Sequence, residues 1–287
     1  MRRSCYVLIF LLALALVSNA FAATVYVQWT GAALDGGNWN TAGNWNPAVV
    51  PSAQDHWGIV GATNYKAGFK TPGNYANLSS GTVTTDILVF GGTNASNLDC
   101  LVVSGATVNV SEYITLAAGA TDNGIVRMNS GTISTGVQYT TNATFYVSQL
   151  GKGTLYMNGG TINCGLPDPT WSGRPANYFA NLSMTGASGT TGNGTLYLNG
   201  GTIYANDLLP GISGTARSLI VKDGTLVLKT DRRTEISGYA WLTAATGYTL
   251  HVDYDDLANL TTVYAIPEPA TVCLLGLGLL GILGRKK

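Results

Sequence analysis

Charge is scarce in this 287-residue sequence: Asp, Glu, Lys and Arg make up 10% of it, against roughly 25% in ordinary soluble proteins. Histidine is scarcer still. His56 and His251 are the only two, and neither sits in an H-E-x-x-H pattern or beside cysteines at zinc-ligand spacing. No Gly-x-Ser-x-Gly elbow occurs, so neither a zinc hydrolase nor a serine-nucleophile arrangement can be assembled from local motifs. Four cysteines, Cys5, Cys100, Cys164 and Cys273, are too few for a disulfide framework. Five of the fifteen basic residues (Arg2, Arg3, Arg285, Lys286 and Lys287) crowd the two ends, and Glu268 is the one acid near them. The body between is left with a net charge of about −4, which offers no electrostatic footprint for nucleic acid.

Both ends read as targeting elements. Arg2 and Arg3 precede an apolar stretch over residues 6–17, and Ala20-Phe21-Ala22 supplies an A-x-A cleavage site. A signal peptide over 1–22 follows, cut beside Ala20 and Ala22. Cys5 precedes the apolar stretch, which argues against a lipoprotein signal. At the other end, Pro267-Glu268-Pro269 is followed by an uncharged apolar run over 270–284 and then by Arg285-Lys286-Lys287. The bland alternative for that run is an ordinary transmembrane anchor. About 15 residues at 1.5 Å each reach only roughly 22 Å, short of a ~30 Å hydrocarbon core, and four glycines make a poor permanent helix. The basic end is expected to stay cytoplasmic, leaving the tripeptide on the outer face.

This tripeptide, apolar segment and basic end resemble the PEP-CTERM signal of bacterial exported proteins. The resemblance implies processing by the membrane enzyme exosortase, with the sorting residues at Pro267, Glu268 and Pro269 and a transient membrane anchor discarded afterwards. It also implies a setting: the cell envelope, outer surface or extracellular matrix of a Gram-negative-type bacterium that makes exopolysaccharide and biofilm.

Between the ends the sequence repeats. Residues 153–162 (GTLYMNGGTI) return as 194–203 (GTLYLNGGTI) and more loosely as 124–133 (GIVRMNSGTI), with degenerate copies at 100–108, 217–226 and 75–83. Aligned, they give one column of Leu101, Val126, Leu155, Leu196 and Leu219. A second column holds Val103, Met128, Met157, Leu198 and Val221, and a third Val108, Ile133, Ile162, Ile203 and Leu226. The first two are two residues apart, the period of a strand with one buried face, and Val102, Arg127, Tyr156, Tyr197 and Ile220 between them face outward. Asn-Gly or Asp-Gly marks a bend, and a threonine follows it in every copy. A further strand per repeat lies at 113–116, 145–148 and 181–184.

Separations of 25, 29, 41 and 23 residues along the first column fit a β-solenoid, in which each turn is a rung and insertions bulge at the corners. The expectation is a right-handed parallel β-helix of about six to seven rungs over 71–262, a rod of about 30 Å. The competing fold is an antiparallel sandwich or hairpin array, because Asn-Gly is also a hairpin signal. Residues 23–70, rich in Trp and Asn, are expected to cap the rod. With Trp29, Trp39, Trp45 and Trp57, Asn-Trp-Asn twice and Pro51 before Asp55, part of this segment resembles the opening of exported bacterial proteins with β-strand repeats of the autotransporter-associated kind. Residues 263–287 form a linker and sorting signal with an apolar helix, the tripeptide being exposed and unpaired.

No catalytic residues, cofactor or metal site emerge. Asp253, Asp255 and Asp256 form the one tight acidic cluster; Ca²⁺ ligation is weighed there against a solvated charged edge, and the edge is preferred. His251 reads as a strand-surface residue, and Cys100 and Cys164 as two packed thiols in preference to a bridge. Tyr156, Tyr197 and Trp171 are the candidate carbohydrate contacts, set against the plain preference of Tyr for half-exposed strands. The sequence therefore predicts an exported, exosortase-sorted structural protein of the cell surface or exopolysaccharide matrix, without catalytic activity. The alternatives are a carbohydrate-binding adhesin and a β-helical polysaccharide lyase or hydrolase.

Overall fold

A computed structural model describes residues 24–51, 64–69, 75–91, 99–136, 143–165, 180–186, 192–211 and 216–268. The repeat columns become stacked rungs. Leu101 pairs with Val126, Val126 with Leu155, Leu155 with Leu196 and Leu196 with Leu219, all parallel and in register. Ala76 extends this column at one end and Leu242 at the other. Apolar residues at alternate positions face the interior, and Leu155, Leu196 and Leu219 are fully buried.

Three faces close each turn. The first carries Ala76–Leu78, Lys152–Met157, Asn193–Leu198, Arg217–Val221 and Leu242–Ala244. The second carries Thr82–Thr85, Thr161–Cys164, Thr202–Ala205 and Thr225–Lys229. Leu101–Val110 and Asn123–Thr135 run through both faces, bent where their register shifts. The third face stacks Ile87–Phe90, Ile114–Leu116, Phe145–Tyr146, Leu182–Ser183 and Leu208–Leu209.

The corner between the first two faces explains the Asn-Gly-Gly of the repeat. Gly201 has φ +74°, a conformation that a side chain disfavours, and a Cβ there would lie 2.5 Å from the Gly160 carbonyl oxygen of the rung below. Gly194, at the head of its repeat, lies against the Met184 carbonyl, where the third face turns into the first.

Among the described residues five turns have all three faces, against the six to seven rungs expected. The repeat at 217–226 supplies first- and second-face strands, but the chain then enters the charged stretch Asp231 to Glu235 and forms the helix Arg233–Ser237 instead of a third-face strand. Arg232 ties that stretch to Asp207 at 3.0 Å.

Residues of the N-terminal segment do close the rod. Thr24–Trp29 and Asn64–Phe69 add parallel strands to the third face, and Trp45–Asn46 pairs antiparallel at its edge. Trp29, Trp39 and Trp45 are buried edge-to-face at 4.8–5.0 Å. The intervening loop is held by buried Asn44, whose amide donates to Asp35 at 2.8 Å and to the Asn38 carbonyl at 2.9 Å. At the opposite end the hairpin Tyr248–Asp255 and Leu260–Pro267 closes the rod, its second strand lying antiparallel on Thr225–Lys229.

That hairpin revises the C-terminal boundary. Tyr264, Ala265 and Ile266, expected to leave the rod as a linker, belong to its last strand, and pairing continues through Pro267. The proline is admitted because its position needs no N–H toward the neighbouring strand. The signal peptide with Ala20 and Ala22, the apolar tail and Pro269 lie outside the described residues. Among the described residues no helix is long and apolar enough to cross a membrane.

Candidate functional site

Two outward arrays share the first face. In the column between the buried leucines, Tyr156 and Tyr197 stack with ring centroids 4.9 Å apart and planes 4° from parallel. The Arg127 guanidinium covers the other face of Tyr156 at 4.5 Å. It is held flat by Asp99, which accepts from Nε at 3.0 Å and from Nη2 at 3.2 Å. Ile220 follows Tyr197 in register. The arrangement is a single stack along the rod axis, with ring edges, not faces, turned to solvent.

Two residues further on, and so on the same side of the strand, runs a ladder of amides. Asn199 donates to Asn158 at 3.0 Å, Asn158 to Asn129 at 2.9 Å, and Asn129 to the Ser104 hydroxyl at 3.2 Å. The sequence placed Tyr156 and Tyr197 in one outward column, and the structure brings them into contact. It did not reveal the amide ladder, although Asn at the same position of three repeats was the available signal. Nor did it reveal Asp99, which precedes the repeat frame. Trp171 lies outside the described residues.

Two members of the acidic cluster, Asp253 and Asp255, are taken up locally. Asp253 accepts a 2.6 Å bond from the Tyr264 hydroxyl, and this bond raises the tyrosine pKa. Asp255 accepts from the N–H groups of Leu257 and Ala258 and so shapes the hairpin turn. His251 lies half-buried, stacked on Tyr264 at 5.5 Å. Among the described residues no three His, Cys, Asp or Glu side chains converge as a metal site. Cys100 and Cys164 are buried free thiols, and burial pushes Cys164 up to about 12.

Pro267 and Glu268 sit at the open end of the terminal hairpin, away from its turn. Pro267 is opposite Tyr248, and Glu268 donates its N–H to the Gly247 carbonyl at 2.9 Å. Both Pro267 and Glu268 are exposed. Tyr248 is anchored in turn by its hydroxyl to Asp223 at 3.1 Å, with Lys222 over its ring. This open end is therefore fixed to the last rung of the solenoid.

Residues 265–287 match the family described as the PEP-CTERM protein-sorting motif. The motif implies export, anchoring at the cell surface and processing by an exosortase. The match begins inside the final strand, two residues before Pro267. No curated protein and no solved structure matches the chain significantly.

Proposed function

We propose that this chain is a structural component of the cell surface or extracellular matrix in a Gram-negative-type bacterium, associated with exopolysaccharide and biofilm and without catalytic activity. The observation that carries the reading is a low-charge solenoid, closed at both ends by its own residues and joined directly to a sorting motif. A rod of stacked rungs makes its contacts between neighbouring turns, so it holds its shape without a central globular core. That suits a spacer or scaffold outside the cell. The test uses the processed protein taken from its own cells and incubated with the exopolysaccharide those cells make. Retention in the matrix fraction with no release of reducing or unsaturated sugar ends is expected. Sugar-end release would overturn the non-catalytic reading.

A second reading, a carbohydrate-binding adhesin, draws on the first face. The Arg127, Tyr156 and Tyr197 stack runs beside the Asn129, Asn158 and Asn199 ladder, so hydroxyl edges and amides recur together at the rung spacing. Because both faces of Tyr156 and one face of Tyr197 are occupied, glycan contact would use edges and hydrogen bonds. Glycan-array binding lost in Y156A/Y197A, with the fold intact, is the expected result for this reading.

A further inference from the structure

The last strand is flanked on both sides for only half its length. Leu260 to Val263 lies between Leu226 to Lys229 on one edge and Val252 to Asp255 on the other. From Tyr264 to Pro267 the pairing with Tyr248 to His251 continues, but among the described residues no strand pairs with the opposite edge. This open edge and the sorting-motif match coincide: the match starts at residue 265.

The hydrogen-bonding pattern says what the edge displays. The bond from Glu268 N–H to Gly247 C=O makes these two a hydrogen-bonded pair. Antiparallel alternation then turns the backbone groups of Tyr264, Ile266 and Glu268 toward the neighbouring strand, and those of Ala265 and Pro267 toward the open edge. Pro267 has no N–H. The edge therefore presents one donor, the Ala265 N–H, and two acceptors, the carbonyls of Ala265 and Pro267.

We propose that the processing protease reads the sorting motif in place, adding a strand of its own to the open edge of Tyr264 to Pro267. The proposal rests on the exosortase-sorted reading and deepens it by naming the recognition surface. An extended segment with a free edge is what strand addition requires: main-chain bonds supply the binding and alternate side chains the selectivity. The occupant is the protease because the edge runs directly into the motif; four residues are too short a ladder to hold two rods together. Reading in place also leaves the final strand whole after the tail is removed, so the rod stays closed.

The experiment follows maturation of the full chain in cells that make the exosortase, by mass measurement of the C-terminus. In L250C/A265C the two cysteines replace a directly opposed, non-hydrogen-bonded pair, so oxidation outside the cytoplasm locks the hairpin. The locked chain, its disulfide confirmed by thiol counting, should mature at the native rate. A265P deletes the one edge donor without removing a bond to the neighbouring strand. It should slow maturation about tenfold, the equivalent of one hydrogen bond, while hydrogen exchange shows the hairpin intact. Accumulation of a locked full-length precursor that matures on reduction would mean that the motif is drawn out of the hairpin, and would overturn the proposal. Native-rate maturation of A265P would overturn it as well. P267A/E268A/P269A separates the underlying reading: normal maturation of that variant removes the exosortase assignment, whatever the hairpin variants do.

Discussion

Tyr156 and Tyr197 lie ring on ring at 4.9 Å, which is the spacing between strands of a parallel sheet. The two tyrosines are thus as much a product of the rung repeat as the buried leucines beside them. Their energetic weight differs, because one pair excludes water from the interior and the other only from a half-exposed surface.

Leu196 is fully buried and Tyr197 is half-buried. Leu196→Ala should destabilise the protein by about 2–5 kcal/mol through lost burial and a residual cavity. Tyr197→Ala should cost about 1 kcal/mol, the size of an aromatic pair. Denaturant midpoints of the two variants check the ratio.

At the corners, Gly201→Ala should destabilise by about 1–3 kcal/mol, since the strained φ is joined by a collision with the Gly160 carbonyl. Gly247 has a similar φ of +80° but nothing within 4 Å of an added Cβ, so Gly247→Ala should cost about 1 kcal/mol. Thermal unfolding of the pair separates backbone conformation from collision.

The N-terminal cap should respond to acid. Bonds from Thr41 and then Asn44 hold Asp35 down at about 2, from an ordinary 3.8. A depressed carboxylate contributes stability that is present above 3.8 and is lost as the pH falls through about 2. Tryptophan fluorescence should report loosening of Trp39 and Trp45 in that window, and Asp35→Asn should abolish the transition.

The Cys164 thiol, raised by burial from 9.0 to about 12, should resist alkylation at pH 8 in the folded protein and react promptly after denaturation. Its preference for the neutral form contributes stability that is complete below about pH 9 and lost as the pH rises toward 12. Thiol labelling and base titration of unfolding test the two halves of this expectation.

The solenoid was readable because the same residues recur at one position per turn. Leu155 and Leu196, or Thr161 and Thr202, carry their pairing partners' identity in their own alignment. The ends have no such internal reference. The hairpin from Tyr248 to Pro267 occurs once, and its direction is set by antiparallel packing on Thr225–Lys229, a contact that no repeat announces. Two prolines argued against pairing at the motif, yet Pro267 occupies a position whose N–H would point away from its partner. The sequence is silent on Asp99 for a similar reason: it meets Arg127 from 28 residues away, across a rung.

The antiparallel last strand also separates the rod's length from its ends. Every turn between the tryptophan cluster and the terminal hairpin hands the next one the same column of apolar side chains, while the spans from one rung to the next vary. Duplicating or deleting a whole turn would therefore leave both terminal seals with the surfaces they already fit. Reach from the cell is a quantity that such a gene can change by simple repeat gain or loss, without redesigning either the seal or the address written next to it.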